Sequence, residues 1–328
     1  MVGNTEVSIE HVRSVFNDII QNVNNVITGK QESVELTVLA LMCGGHVLLE
    51  DVPGVGKTML ARSVSTSTGC SYKRIQFTPD LLPTDVSGVS VYNQSSSTFE
   101  FREGPLISQM VLADEINRAT PKTQSAMLEA MEEGQITIEG ETRLLPSPFM
   151  VLATQNPIEY EGTFPLPEAQ LDRFLLKIKL GYPDQSTEKD ILNAQVMEHP
   201  INTLKAVATP KQVLDCQHAV KTIYVDELLK DYIINIVADT RRNNYLSLGS
   251  SPRGSLGLFR TSQAFALLRG RDHVIPDDIL QLVHPVLEHR LITSPSARME
   301  GQTTNSILSD IIRNLDVPGA QAKGWLKR

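Results

Sequence analysis

The run Pro53-Gly54-Val55-Gly56-Lys57-Thr58 constrains this chain more than any other feature. It lies between an apolar strand-like segment, His46 to Glu50 (HVLLE), and a stretch of helical character from about Lys57 to Thr66. Glycines let the backbone turn its N–H groups inward around an anion, and the N-terminus of the next helix adds the positive end of its dipole. A lysine at the end of such a loop can reach the β- and γ-phosphates of a nucleotide. A hydroxyl beside it can ligate Mg²⁺. Lys57 and Thr58 have those positions. The general pattern asks for Gly five residues before Gly56, where this chain has Asp51. The order strand, loop, helix carries the assignment against the alternative of a glycine-rich turn with an incidental lysine.

The surrounding sequence supplies the rest of a parallel sheet. Gln31 to Cys43 reads as a helix stopped by Gly44-Gly45. Further strands are expected at Tyr72 to Phe77, Ser108 to Ala113, Phe149 to Thr154 and Phe174 to Leu180, with a helix from Pro121 to Glu133. Apolar strands alternating with helices predict an α/β, doubly wound parallel sheet. Two stretches break the alternation. Val89 to Phe101 (89–101) and Gln135 to Leu145 (135–145, turning at Glu139-Gly140) each read as a hairpin, either projecting from the core or forming an edge of the sheet. After Pro183 helical periodicity takes over, at Thr187 to Glu198, Val225 to Thr240, Arg253 to Leu268 and Pro276 to Val286. The expected organisation is a nucleotide-binding domain over 1–183 and a smaller, all-helical domain over 184–328.

Two more strands end in polar residues suited to phosphate chemistry. Met110-Val111-Leu112-Ala113 runs into Asp114-Glu115, which puts two carboxylates at the carboxyl edge of the sheet, where ligands of such folds bind. Asp114 would hold Mg²⁺ through water, and Glu115 would polarise the attacking water. Acids after a strand are also common helix caps, so the pair gains its meaning from the loop that precedes it. Phe149 to Thr154 delivers Asn156 to the same edge, within reach of the lytic water or the γ-phosphate. Asn before Pro157 alternatively shapes a turn. Arg173 lies just before the last expected strand. Arg253 follows Ser251-Pro252, a helix-start pattern that sets it near a helix N-terminus.

Composition narrows the partners. A net charge of −8 and a single Trp give no basic or aromatic footprint for nucleic acid. Cys43, Cys70 and Cys216 have no metal-ligand spacing and read as buried reduced thiols. The first residues, MVGNTEVSIE, carry acids and no apolar core of a signal peptide. The longest apolar run contains Glu35 and breaks at Gly44-Gly45, so no membrane span is expected. The compartment expected is the cytoplasm.

Taken in order, these segments resemble the MoxR group of AAA+ ATPases over nearly the whole chain. The resemblance rests on ITGKQESVELTVLALMCGGHVLLEDVPGVGKT, FTPDLLPTDVSG, VLADEINRATPKTQSAMLEAMEEGQITIEG, VLATQNPIEYEGTFPLPEAQLDRFLLKI, SPRGSLGL and HVIPDDILQLVHPVLEHRL. An acidic residue before the loop proline is usual in that group, which accounts for Asp51. The resemblance implies an ATP- and Mg²⁺-dependent site. In it Pro53, Gly54, Val55, Gly56, Lys57, Thr58 and Met59 form the Walker A segment, and Asp114 and Glu115 form Walker B. It further implies Asn156 as sensor 1, Arg173 as an arginine finger given across a subunit boundary, Arg253 as sensor 2, and Ile27 and Gly29 beside the adenine. Members form hexameric homo-oligomeric rings with a helical lid. They act as chaperone-like factors on a protein client, often with a partner carrying a von Willebrand factor A domain. The two hairpins resemble the helix-2 insert and the pre-sensor-1 hairpin of this clade.

Three functions are consistent with such a chain: an ATPase that remodels a protein client, a nucleic-acid-translocating motor, and a nucleotide-gated scaffold. The acidic charge disfavours the motor, and the intact set Lys57, Glu115, Asn156 and Arg173 disfavours the scaffold.

Overall fold

In the computed structural model, which describes residues 8–156, 162–194 and 199–318, the apolar runs pair into one parallel sheet. The chain divides into two units, residues 1–219 and 220–328. The first unit runs α1 (Ile9–Asn24), α2 (Gln31–Met42), β1 (Val47–Glu50), α3 (Lys57–Thr68), β2 (Tyr72–Gln76), α4 (Pro83–Ser87), β3 (Gly88–Asn93), β4 (Thr98–Glu103) and β5 (Met110–Asp114). It continues through α5 (Pro121–Glu133), β6 (Gln135–Ile138), β7 (Glu141–Leu144), β8 (Met150–Gln155), α6 (Glu168–Leu171), β9 (Leu176–Ile178), α7 (Gln185–Ala194) and into α8 (Pro210–Val220). Residues 195–198, the end of the helix expected from Thr187 to Glu198, and Pro157 lie outside the described residues.

The strand order is β2-β5-β8-β1-β9. Every neighbouring pair is parallel. In register, Leu48 sits beside Ala153, and Ala153 beside Ala113. These three share a buried face with Val111, Val151, Met127 and Leu128. The alternate residues Val47, Leu49, Met110, Leu112, Met150 and Leu152 are buried just as deeply. Burial on both faces explains why these strands read as continuous apolar runs instead of alternating ones. Each such side chain contributes on the order of 1.5–3 kcal/mol on burial. Gly45 carries no side chain because a Cβ there would strike Leu175, which enters the sheet beside it.

The N-terminal α1 has no counterpart among the expected elements. Its buried residues Val12, Val15, Phe16, Ile19, Ile20 and Val23 follow helical spacing, and the Ser8 side chain caps it by accepting from the His11 N–H. The two hairpins form two-stranded sheets of their own, β3 with β4 and β6 with β7. They are therefore projections, not edges of the main sheet. β6 and β7 turn at Glu139 and Gly140, whose φ values are 52° and 83°, the pair of positive angles that a two-residue hairpin loop needs. The hairpins touch one another: the Arg143 guanidinium lies 4.2 Å above the Phe101 ring. A cleft of about 360 Å³ opens between them, lined among others by Val89, Ala130, Ile136 and Ile138.

The second unit holds α9 (Glu227–Arg242), β10 (Leu246–Leu248), α10 (Pro252–Leu268), α11 (Pro276–Leu287), β11 (Ile292–Thr293), α12 (Pro295–Met299) and α13 (Thr304–Asn314). Among its described residues it is helical apart from the antiparallel ribbon of β10 and β11. Strands of two and three residues are too short to give a periodic signal, so the expectation of helices alone missed them. The change of pattern at Pro183 does not coincide with the division after Ala219. The segment leading into α8 returns to the first unit, where Val207 and Ala208 donate to the Ser67 carbonyl and Gln217 Nε2 donates to the Leu41 carbonyl. Among the described residues no helix is long and apolar enough to cross a membrane.

Candidate active site

β1 ends at Glu50, and pairing continues one residue further, where the Asp51 N–H donates to the Gln155 carbonyl. The loop then turns through Gly54 at φ 83° and Gly56 at φ 97°, both in the left-handed region that a side chain resists. A Cβ at either glycine would meet nothing within 4 Å. The space beside both glycines is thus open, which leaves room for an anion. Gly56 N-caps α3 without a side-chain acceptor, and no acidic residue stands in the first turn. The leading N–H groups of α3 therefore face that space without a competing carboxylate. Val55, Lys57, Thr58 and Met59 are half-buried around it, and Pro53 and Gly54 are exposed. Lys57 Nζ folds back onto the Asp51 carbonyl at 2.7 Å.

Asp51 has its own function. Its Oδ1 accepts from the Val52 N–H at 2.8 Å and its Oδ2 from the Gly181 N–H at 2.5 Å. A glycine here could not tie the start of the loop to the chain leaving β9. The turn at Ile27 and Gly29 docks on the same stretch. Ile27 is buried, and Lys30 Nζ donates to the Tyr182 carbonyl at 2.8 Å. Gly29, at φ 72°, passes so close to α7 that a Cβ would lie 2.7 Å from the Thr187 side chain.

The acidic pair stands two strands away, at the end of β5. Thr154 on β8 joins its members, because Thr154 Oγ1 donates to Asp114 Oδ1 at 2.6 Å and accepts from the Glu115 N–H at 2.8 Å. That acceptance accompanies an unusual backbone. Glu115 has φ 56° and ψ 49°, a left-handed conformation that costs a non-glycine residue on the order of 1–3 kcal/mol. Arg74 Nε and Nη2 donate to Asp114 Oδ2 at 3.1 and 2.7 Å. Gln76 Nε2 and Arg118 Nη1 donate to Glu115 Oε2 at 2.8 and 3.0 Å. Asn156, one residue past β8, is buried at the same edge.

Arg74, Gln76, Arg118 and Thr154 escaped the sequence reading. Arg74 and Gln76 were legible only as the polar positions of an edge strand, where charge is ordinary. Their meaning comes from the register that sets Gln76 beside Asp114.

The two expected arginines stand on other elements. Arg173 is at the amino edge of the sheet. It precedes β9, whose Leu176 is level with Val47 at the start of β1, and Arg173 Nη2 pairs with Glu132 Oε2 at 3.1 Å. At roughly 3.3 Å per residue, β1 places its carboxyl end about 10 Å further along the sheet. Arg253 opens α10 in the second unit, its N–H bonded at 3.1 Å to Oγ of the capping Ser251.

Comparison with known proteins shows what the chain is similar to. Residues 46–176 match the family model for ATPases associated with various cellular activities, and residues 238–311 match the AAA lid domain. The chain is 50% identical to the uncharacterized protein YeaC of Bacillus subtilis, covering 94% of this chain and 97% of that one. It is 39% identical to Chaperone MoxR1 of Mycobacterium tuberculosis, covering 92% and 82%. It is 29% identical to Protein MoxR of Paracoccus denitrificans, covering 89% and 92%. A crystal structure of a candidate ATPase from Cytophaga hutchinsonii superposes with a TM-score of 0.88 at 37% identity, covering 94% of this chain and 96% of that one.

Proposed function

Because the chain belongs to the MoxR family of AAA+ ATPases, its activity is ATP hydrolysis, and we propose that it works as a homo-oligomeric ring, a hexamer, in which each site is completed by a neighbour. Arg173 carries this reading. It is held at the amino edge by Glu132, whereas the phosphate loop of its own chain leaves the carboxyl edge of β1. A guanidinium in that position serves the nucleotide of an adjacent copy.

Within one site the division of labour follows from the donors present. The loop from Pro53 to Met59 wraps the phosphates with its N–H groups, in the open space above Gly54 and Gly56. Lys57 exchanges the Asp51 carbonyl for a phosphate oxygen. The hard oxygens of Thr58 and Asp114 suit Mg²⁺, which favours one or two protein ligands together with substrate phosphates. Mg²⁺ bound there supplies neutralisation of charge on the phosphoryl group being transferred. Glu115 draws the proton of the attacking water, and Asn156 orients that water or the γ-phosphate. Ile27 and Gly29 border the adenine. Arg253 answers to the state of the nucleotide from the helical unit.

The work done with this energy is chaperone-like remodelling, maturation or activation of a protein client in the cytoplasm, together with a partner bearing a von Willebrand factor A domain. The name of the relative Chaperone MoxR1 and the absence of a net basic charge support it. The three cysteines, which form no disulfide, suit a reducing compartment.

Mixing subunits tests the ring. Arg173→Ala and Lys57→Ala chains are each expected to be nearly inactive, since an arginine finger contributes about 10³–10⁵ in rate. Mixed rings should regain ATP turnover, because a Lys57→Ala subunit still lends Arg173 to a neighbour with an intact loop. Verified mixed rings without recovery, or turnover independent of protein concentration, would reject the arrangement.

A further inference from the structure

Asp114 already has a cation. Its side chain is 13% exposed, and both of its oxygens are engaged, Oδ1 by the Thr154 hydroxyl and Oδ2 by two N–H groups of Arg74. Arg74 itself is 47% exposed and stands on β2, an edge strand of the sheet. A carboxylate taken out of water needs a countercharge, and one hydroxyl does not supply it. The guanidinium supplies it. Its half-exposed arm reaches solvent, and Nη2 also donates to Gln76 Oε1 at 2.8 Å.

We propose that Arg74 is a placeholder for the divalent cation: it neutralises Asp114 while the nucleotide site is empty and is displaced from Oδ2 when metal and nucleotide arrive. This inference rests on the reading of Asp114 as the metal-side carboxylate. Directly or through a bound water, a metal at this carboxylate needs Oδ2, where two Arg74 N–H groups already sit, so metal binding competes with the Arg74 bond. Arg74 is thus a positioning residue that sets the metal concentration at which the site closes. The other acids at this edge are engaged already, Glu50 by Lys177 at 2.5 Å, Glu115 by Arg118 at 3.0 Å and Asp51 by the Val52 and Gly181 N–H groups.

The test is the Mg²⁺ dependence of binding of a fluorescent ATP analogue to the full chain, repeated with Mn²⁺. Arg74→Gln should lower the half-saturating Mg²⁺ concentration roughly two- to fivefold, the range that a half-exposed ion pair can supply. Analogue affinity in EDTA should stay close to wild type. Arg74→Met, which keeps the aliphatic arm without the charge, should shift the same way if Arg74→Gln fails to fold. Damage to the site weakens metal binding, so the gain separates a placeholder from a structural support. An unchanged or raised Mg²⁺ requirement in the charge-free variants overturns the proposal. Asp114→Asn keeps the two failures apart. If it leaves the Mg²⁺ dependence untouched, Asp114 is not the metal-side group. If it raises the requirement and Arg74→Gln does not lower it, the placeholder alone is wrong.

Discussion

The Asp51 carboxylate accepts the Gly181 N–H at 2.5 Å, a bond that ties the start of the phosphate loop to the chain leaving β9. Its second oxygen holds the Val52 N–H at 2.8 Å, and its own carbonyl receives Lys57. The residue that departs from the general loop pattern is therefore the one that fixes where the loop begins.

Restoring the pattern should harm the protein. Asp51→Gly removes a charge-assisted bond worth about 1.5–3 kcal/mol and frees the first residue of the loop. Urea denaturation should show a stability loss in that range, and ATP affinity should fall with it. A variant as stable and as tight-binding as wild type would show that the bond to Gly181 carries no weight.

Thr154→Val keeps the shape of the side chain but deletes the hydroxyl that Asp114 and the Glu115 N–H share. Glu115 then loses the bond that accompanies its left-handed backbone. Nucleotide should still bind, as it should in Glu115→Gln, while turnover falls at least about tenfold, the equivalent of 1.4 kcal/mol. Steady-state kcat beside equilibrium ATP affinity checks this, and an unchanged kcat would show that the Thr154 bridge does not position the acids.

His46 is a buried hinge of hydrogen bonds. Its Nδ1 accepts from the Val151 N–H, so Nε2 carries the proton donated to the Met131 carbonyl, each at 3.0 Å. Burial pulls its pKa down from 6.5 to about 4. As pH falls, the unfolded chain takes up this proton before the folded one. The contribution of the neutral ring is complete above about pH 6.5 and is lost progressively toward pH 4, at a total of about 3 kcal/mol. His46→Gln should flatten the pH dependence of denaturation across that window. Parallel slopes for the two proteins would contradict it.

The hairpins should move as one body. Arg143 stacked on Phe101 is worth roughly 0.5–1 kcal/mol, and Phe101→Leu removes it. Hydrogen exchange should accelerate in β3, β4, β6 and β7 with ATP affinity unchanged. Shortening Asn93 to Thr98 should likewise spare nucleotide binding. Loss of ATP binding in either variant would place the hairpins in the nucleotide site instead of beside it.

The sequence by itself determined the local units. β1, the loop and α3 were legible because continuous apolar runs, glycines and helical spacing act within about twenty residues, and each has a direct physical cause. Asp114, Glu115 and Asn156 were legible for a related reason, since parallel strands bring their last residues to one edge. Tertiary structure alone decided what stands across from what. Arg74 and Thr154 each lie 40 residues from Asp114 along the chain, and only the order β2-β5-β8 makes them its neighbours. The pattern change at Pro183 was visible, but which body the following helices join was not, because an amphipathic face specifies that it will be buried and not against what. Arg173 reads in sequence as one arginine before a strand. Its position at the amino edge, away from its own phosphate loop, is a property of the sheet, fixed by the register of β9 against β1.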